Sequence, residues 1–297
     1  MVHVLTSRAL AAAVCLLTTA ACAQSSGKPA ASPEPADRRA DSVVVQNGYA
    51  VEADTVEAAT SRVAEEVVPL GATTIQVVTH EVEGPMRPVF MALNMHDNES
   101  TSVDAALEVM RERGGRLVEL VHTGERNVTF RVDGADFVAD PNRMFTDAGR
   151  RRTLADQSRD TPEARAALAA FADAVLEIYA PGAPAVIALH NNTEDNYTAS
   201  SYEPGGAYET DAAAVTVHPG SDPDDFFFVT DRGLYDALVA RGFNAVLQDN
   251  EAATDDGSLS VWAAREGVPY VNVEAQHGHQ LEQARMIAAL MDVLTER

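Results

Sequence analysis

The chain has 297 residues, of which 46% are apolar and 23% are charged. That composition is ordinary for a globular protein and too apolar for a chain that is disordered throughout. Its 22 basic and 45 acidic residues give a formal charge of −23, which argues against general binding to nucleic acids, because a surface this negative repels phosphate backbones.

The N-terminus has the pattern of an export signal. Residues 1–8 are weakly basic, and the apolar run over 9–17 is too short to span a bilayer. The segment Thr19–Cys22 resembles a bacterial lipoprotein processing site, whereas residues 21–23 also fit ordinary signal-peptidase cleavage. We therefore expect residues 1–22 to be a signal peptide of the lipoprotein type. Lipidation of Cys22 would then anchor the protein in the cell envelope or periplasm, with release of the mature protein as the alternative.

Residues 23–43 are rich in Ser, Ala and Pro, which predicts a flexible linker. Residues 1–43 hold four basic and three acidic side chains, so residues 44–297 hold 18 basic and 42 acidic ones, a formal charge of −24. No repeat and no second linker interrupts residues 44–297, which predicts a single domain. Both cysteines, Cys15 and Cys22, precede this domain, so a metal site in it must use His, Asp or Glu.

Within this domain, strand and helix patterns alternate. Residues 63–68 fit either a short helix or a short strand that precedes the other elements. Strands are predicted at residues 74–80, 88–95, 117–122, 127–132, 184–189, 226–230, 245–247 and 268–273. Helices are predicted at residues 102–113, 162–179, 231–241, 259–266 and 281–294. This alternation predicts an α/β fold with a mixed, largely parallel central sheet and helices on both faces.

Residues capable of catalysis follow three of the predicted strands. His96 and Glu99 follow the strand at 88–95, His190 follows 184–189, and Glu274 follows 268–273. Ligand sites in such sheets lie at the carboxyl ends of strands, and a catalytic zinc takes three protein ligands and leaves one position for water. His96, Glu99 and His190 are therefore the predicted ligands of one Zn²⁺ ion. Glu274 is the predicted catalytic carboxylate, which would accept a proton from the water.

The constellation resembles the zinc carboxypeptidase superfamily, and more closely its succinylglutamate desuccinylase/aspartoacylase branch. The segment Asn94–Glu99 keeps the His, Asn and Glu of that branch's first motif but replaces both of its glycines. The segment Asp140–Phe145 is similar to the branch's Asp-x-Asn-Arg-x-Phe. His190 matches the third ligand and Glu274 the terminal glutamate, so the resemblance covers residues 88–275.

The resemblance implies the family's α/β fold, its zinc ion and its hydrolysis of amide bonds. It also implies that Asn142 and Arg143 bind substrate, and the fork of an arginine can bond both oxygens of a substrate carboxylate at once. Either Arg126 or Arg131 could assist by polarising the scissile carbonyl.

This chain departs from the family near its third ligand. The family often has an acidic residue two positions before that ligand, where this chain has Ala188. Support for the ligands would then have to come from Asn191, Asn192 or Asp195. His277 and His279 follow Glu274 and could line the site without a defined role.

Together these patterns predict an exported zinc hydrolase that cleaves an amide bond in a peptide or an N-acyl amino acid. A cell-wall peptide fits the predicted compartment. Apart from the substrate and a lipid anchor at Cys22, no partner is expected. The alternative is a non-catalytic, lipid-anchored protein that binds a ligand on the same fold.

Overall fold

The structure, a computed structural model, describes residues 60–85, 89–179 and 183–297, which all belong to one structural unit, Val56–Arg297. The predicted signal peptide (1–22), the predicted linker (23–43) and the predicted start of the domain lie outside these residues. Export and lipidation at Cys22 therefore stay predictions. Within the described ranges, no helix combines the length and apolarity needed to cross a membrane.

From residue 226 onward strands and helices alternate one by one, as predicted, whereas earlier in the described chain they come in runs. The strands are β1 Ser61–Leu70, β2 Thr73–Val82, β3 Met91–Asn94, β4 Gly115–Val121, β5 Val128–Val132, β6 Ala135–Ala139, β7 Val186–Asn192, β8 Ala212–Thr216, β9 Phe226–Val229, β10 Ala245–Gln248 and β11 Tyr270–Gln276. The helices are α1 Ser100–Arg113, α2 Asp147–Gln157, α3 Pro162–Tyr179, α4 Arg232–Ala240, α5 Leu259–Glu266 and α6 Gln280–Thr295.

A mixed nine-stranded sheet runs in the order β1-β2-β4-β3-β7-β11-β9-β10-β8. Strands β4, β3, β7 and β11 are parallel to one another and form its centre. On one side β2 and β1 pair antiparallel, and on the other β9 pairs antiparallel with β11, β10 pairs parallel with β9, and β8 pairs antiparallel with β10. The segment at 63–68 is thus part of a strand, because β1 pairs with β2 over its whole length. The predicted fold class, a mixed α/β sheet with parallel strands at its centre, is confirmed.

Helices cover both faces of this sheet, also as predicted. On one face the buried side chains of α3 and α5, among them Phe171 and Leu259, pack on the sheet, and on the other face α1, α4 and α6 do so. Alternate residues of a strand point to opposite faces. Accordingly, Ala188 of β7 packs on the face covered by α3 and α5, and Leu189 packs on the face covered by α1, α4 and α6.

This alternation decides where the predicted site lies. His190 follows Ala188 by two positions, so its side chain lies on the face covered by α3 and α5. In the parallel register between β7 and β11, Glu274 stands opposite His190 and Gln276 opposite Asn192. Both strands therefore extend beyond their predicted ends. His190 and Glu274 lie within the ladder rather than after it, because the polar residues continue the backbone pairing.

Candidate functional site

Three buried side chains converge where β3 and β7 end. His96 and Glu99 lie in the turn between β3 and α1, and His190 lies in β7. The Nδ1 atom of His96 is 2.8 Å from Glu99 Oε1, and the Nδ1 atom of His190 is 2.9 Å from Glu99 Oε2. The two Nδ1 atoms are 3.1 Å apart. The three side chains form a group that can hold a metal ion.

The donor geometry of this group fits zinc. Two ligand atoms on a tetrahedral zinc ion lie roughly 3.3 Å apart, given zinc–nitrogen bonds of about 2.0–2.1 Å, and the two Nδ1 atoms are separated by 3.1 Å. Without a metal, a charged His96 and a neutral His190 can each hydrogen-bond one oxygen of Glu99. With a metal, the lone pairs of both Nδ1 atoms can bind the same cation. Two imidazoles and a carboxylate are also the ligand types that catalytic zinc takes.

The charges of the group are set by burial and by the nearby carboxylates. Burial would lower the pKa of His96, but Glu99 and Asp140 raise it to about 9. At His190 burial outweighs the attraction of Glu99, so the pKa of that ring falls below its ordinary value. Burial would raise the pKa of Glu99, but the two histidines hold it well below its usual range. Glu99 is therefore an ionised carboxylate, as a metal ligand must be.

Asp140, in the turn after β6, holds the outer nitrogen of His96. Its Oδ1 atom lies 2.9 Å from His96 Nε2, and its backbone N–H donates to Thr153 Oγ1 at 2.8 Å. A carboxylate on the far side of a histidine ligand fixes which ring nitrogen faces the metal and makes that nitrogen more basic. A carboxylate that supports a predicted ligand is thus present, but it comes from the turn after β6 and not from the position of Ala188. The aspartate two positions before Asn142 in the second motif is the sequence signal that could have indicated it.

We expect Asp140→Asn to weaken Zn²⁺ binding by about 10–100-fold, because loss of such a carboxylate typically has that effect. The measurement is a competition titration of the full chain against a chelating dye of known affinity. Asp147→Asn is the matched control, since Asp147 is exposed and pairs with Arg151. Equal zinc affinity in the two variants would show that Asp140 does not support the ligands.

Glu274 is a buried carboxylate beside this group but outside it. Its Oε2 atom accepts a hydrogen bond from Asn272 Nδ2 at 2.9 Å, and it lines the same cavity as Glu99 and His190. Burial and the charge of Glu99 raise the pKa of Glu274 to about 8. A cation on the neighbouring ligands would lower that pKa again, because opposite charge favours the ionised form.

Only one of the two candidate arginines reaches the site. Arg126 donates from Nη1 to Glu99 Oε1 at 2.8 Å, and its Nη2 atom lies 3.4 Å from Asp140 Oδ2. Arg131 lies in the β5–β6 hairpin, where it pairs with Asp136 at 2.9 Å. Arg126 is therefore the cation available next to the predicted ligands.

Asn142 and Arg143 lie in the short 3₁₀ turn after Asp140, and both line the cavity. Asn142 Oδ1 accepts a hydrogen bond from the backbone N–H of Leu259 at 3.1 Å, which ties this turn to the start of α5. Arg143 donates from Nη1 to the Asn142 carbonyl at 2.9 Å, and its Nε atom lies 3.4 Å from Asp256 Oδ2. Burial would lower the pKa of Arg143, but Asp256 and Asp140 raise it, so the guanidinium is always charged.

The cavity that joins these groups has a volume of about 690 Å³, which lies in the range of small-molecule sites. One wall is a cluster of tyrosines in which Tyr197, Tyr202 and Tyr208 pack edge to face or tilted against one another. The hydroxyls of Tyr197 and Tyr202 are 2.6 Å apart. The cavity thus has an aromatic wall and a polar, charged floor.

The remaining residues singled out by sequence have other partners. Asn191 donates to the carbonyl of Ala275 and to Gln283, and Asn192 donates to the carbonyl of Asp224. Asp195 donates its backbone N–H to Asp224. Among the described residues, none of the three forms a side-chain hydrogen bond to a predicted ligand.

The two histidines after Glu274 separate. His277 lines the cavity, whereas His279 pairs with Asp225 at 2.9 Å. Two histidines two positions apart thus serve different parts of the structure, because the chain turns at Gly278 between β11 and α6.

No protein-family model and no curated protein matches the chain. Solved structures do match it. An aspartoacylase family protein from Mesorhizobium loti is 18% identical, with a TM-score of 0.41, over 78% of this chain and 66% of that one. The match thus spans slightly less than two thirds of that protein.

Two further solved structures have similar scores. Succinylglutamate desuccinylase from Chromobacterium violaceum is 13% identical, with a TM-score of 0.41, over 78% of this chain and 70% of that one. Thrombin activatable fibrinolysis inhibitor is 12% identical, with a TM-score of 0.39, over 78% of this chain and 68% of that one. The solved structures similar to this chain therefore include an aspartoacylase family protein and a succinylglutamate desuccinylase.

Proposed function

We propose that the protein is an exported, zinc-dependent hydrolase that cleaves an amide bond in a small peptide or an N-acyl amino acid. The observation that carries the proposal is the convergence of His96, Glu99 and His190 beside a separate buried carboxylate, Glu274. Three ligands and one free carboxylate are what a zinc hydrolase needs.

When bound, zinc lowers the pKa of water and polarises carbonyl groups. In the proposed reaction Glu274 takes a proton from water as the water oxygen bonds to the carbonyl carbon. Glu274 then gives that proton to the leaving nitrogen as the carbon–nitrogen bond breaks. Arg126, whose guanidinium already bonds Glu99, is placed to stabilise the negative charge that develops on the carbonyl oxygen.

Asn142 and Arg143 are the proposed contacts of a substrate carboxylate. They lie on the same turn as Asp140, so the segment that supports His96 also presents these side chains to the cavity. In a domain of formal charge −24, an anionic group is held only where a local cation offsets the surrounding field. A segment that exports the protein and a lipid on Cys22 would place this activity in the cell envelope, where short cell-wall peptides are available.

The test is metal analysis of the purified protein combined with a panel of N-acyl amino acids and short peptides. We expect about one zinc per chain and turnover of at least one member. Removal of the metal with a chelator should lower that turnover by about a thousandfold, because zinc supplies several kcal/mol of stabilisation to such transition states, and Zn²⁺ should restore it. Bound zinc without any turnover would support the alternative, a lipid-anchored ligand-binding protein.

A further inference from the structure

The cation assigned to the substrate carboxylate does not stand alone in the cavity. The Nε atom of Arg143 lies 3.4 Å from Oδ2 of Asp256, and each of the two side chains is 33% exposed. Both residues line the cavity. A ligand entering there meets a positive and a negative group side by side.

The pair is held in place from both ends. Asp256 Oδ1 accepts a hydrogen bond from the backbone N–H of Ser258 at 2.9 Å, at the start of α5. Arg143 is held through Nη1 by the carbonyl of Asn142. Each group therefore keeps part of its bonding capacity free while its position is fixed, which is the condition for preorganised recognition.

The two segments that carry the pair are also packed directly on each other. Gly257 has a φ of +85°, and a Cβ atom there would collide with Gly149 and with the carbonyl of Arg143. The backbone N–H of Phe145 donates to the carbonyl of Gly257 at 3.0 Å. The backbones on either side of the Arg143–Asp256 pair are thus in contact, so the distance between the two charges is set by the fold rather than by mobile side chains alone.

A ligand with only a carboxylate matches this pair poorly. Its attraction to Arg143 is offset by repulsion from Asp256, which bears the same charge a few ångströms away. An amino acid with a free α-ammonium and α-carboxylate carries both charges on one carbon. It can therefore place its carboxylate on Arg143 and its ammonium on Asp256, so that both contacts are charge-assisted hydrogen bonds.

We propose that Arg143 and Asp256 together bind the free α-ammonium and α-carboxylate of one amino-acid residue of the substrate. This inference rests on the proposed function and narrows its substrate class. Because the α-nitrogen of that residue is free, the amide that is cleaved must be formed through its side chain. Water adds its hydroxyl to the carbonyl carbon and its hydrogen to the nitrogen as the carbon–nitrogen bond breaks, which gives a carboxylic acid and an amine. The bound residue is one of these two products and keeps both α-groups free.

Binding tests the pair without any need for turnover. Norleucine and hexanoate have the same carbon chain and differ by one ammonium, and calorimetry on the full, zinc-loaded chain gives their dissociation constants. We expect norleucine to bind about tenfold or more tightly, as one additional charged hydrogen bond implies. Asp256→Asn should abolish that preference, because it should weaken the binding of norleucine and strengthen the binding of hexanoate.

Glu251→Gln is the matched control, because it removes the same charge from an exposed position in the same loop. It should keep the preference for norleucine. Equal binding of the two ligands to the wild-type protein would overturn the proposal. So would an Asp256→Asn variant that binds both ligands in the same ratio as the wild type.

Turnover then separates the two possible origins of a side-chain amide. Nε-Acetyl-lysine is acylated at a side-chain amine, and γ-glutamyl-methylamide is an amide of a side-chain carboxyl. Cleavage of one of them, with its kcat/KM lowered about tenfold or more by Asp256→Asn, would support the proposal and identify the source. Preference for the isomer Nα-acetyl-lysine would overturn it, because Asp256 would then bind a side-chain ammonium. If norleucine binds more tightly than hexanoate but no substrate is hydrolysed, Arg143 and Asp256 would still be the binding pair, and the proposed hydrolase function would be contradicted.

Discussion

Glu274→Gln should abolish hydrolysis while leaving the metal in place. The amide keeps the size of the side chain and can still accept the hydrogen bond from Asn272, but it cannot take up a proton. Loss of a general base typically lowers turnover by about 10²–10⁴-fold. Because Glu274 lies outside the His96–Glu99–His190 group, the zinc content and the affinity for substrate should stay close to those of the wild-type protein.

The measurement is kcat and KM on the best substrate of the panel, together with zinc content by elemental analysis. Glu194→Gln serves as the control, since Glu194 is an exposed carboxylate in the loop after β7 and should leave kcat unchanged. A Glu274→Gln variant with wild-type kcat would refute the assignment of the base. A variant that loses zinc and activity together would instead make Glu274 part of the metal site.

His190→Ala should release the metal. Zinc binding by four-ligand sites is worth about 10–16 kcal/mol, so removal of one ligand should weaken it by roughly 10²–10³-fold or more. His96→Ala should act in the same way, because the Nδ1 atoms of both rings face Glu99 at 2.8 and 2.9 Å. Competition with a chelating dye measures the affinity, and circular dichroism verifies that each variant is folded.

His277→Ala is the appropriate comparison for both variants. His277 lines the same cavity but does not belong to the His96–Glu99–His190 group, so its loss should leave zinc affinity within a few-fold of the wild-type value. Zinc should also raise the melting temperature of the wild-type protein and of His277→Ala more than that of His190→Ala, because stabilisation by a ligand grows with the logarithm of its concentration divided by its dissociation constant. Unchanged zinc affinity in a folded His190→Ala protein would remove His190 from the proposed ligands.

The strong periodic elements of this fold could be predicted from sequence. α5 has the predicted bounds of 259–266, and apolar runs in the sequence predict the buried parallel strands. α2 was missed, because the sequence of Asp147–Gln157 offers one large apolar side chain, Leu154, and no apolar stripe. β8 was missed for a related reason, since its five residues are mostly alanine. Both elements owe their structure to packing on neighbours rather than to their own pattern.

Some residues of the candidate site could likewise be predicted from local sequence pattern, and others could not. His96, Glu99, His190 and Glu274 could be identified because each lies at or near a predicted strand end. The partners of Asp140 and Asp256 could not be identified, since each partner is distant along the chain, although Asp140 lies in the second motif. Asp140 reaches back 44 residues to His96, and Asp256 meets Arg143 across a loop contact. Side-chain pairs of this kind depend on how the loops pack, which local pattern does not reveal.

The parallel register of β7 and β11 has a consequence for how the substrate specificity of such a protein can evolve. His190 and Glu274 sit opposite each other on neighbouring strands, so their spacing follows from the distance between strands of a sheet, about 4.8 Å. Arg143 and Asp256 sit on two segments whose backbones touch where Gly257 meets Gly149 of α2 and the carbonyl of Arg143. Substitutions of Arg143 or Asp256 could therefore change which substrates bind without moving His190 and Glu274 on the ladder. A substitution of Asp140, in the same turn as Arg143, would in contrast also disturb His96.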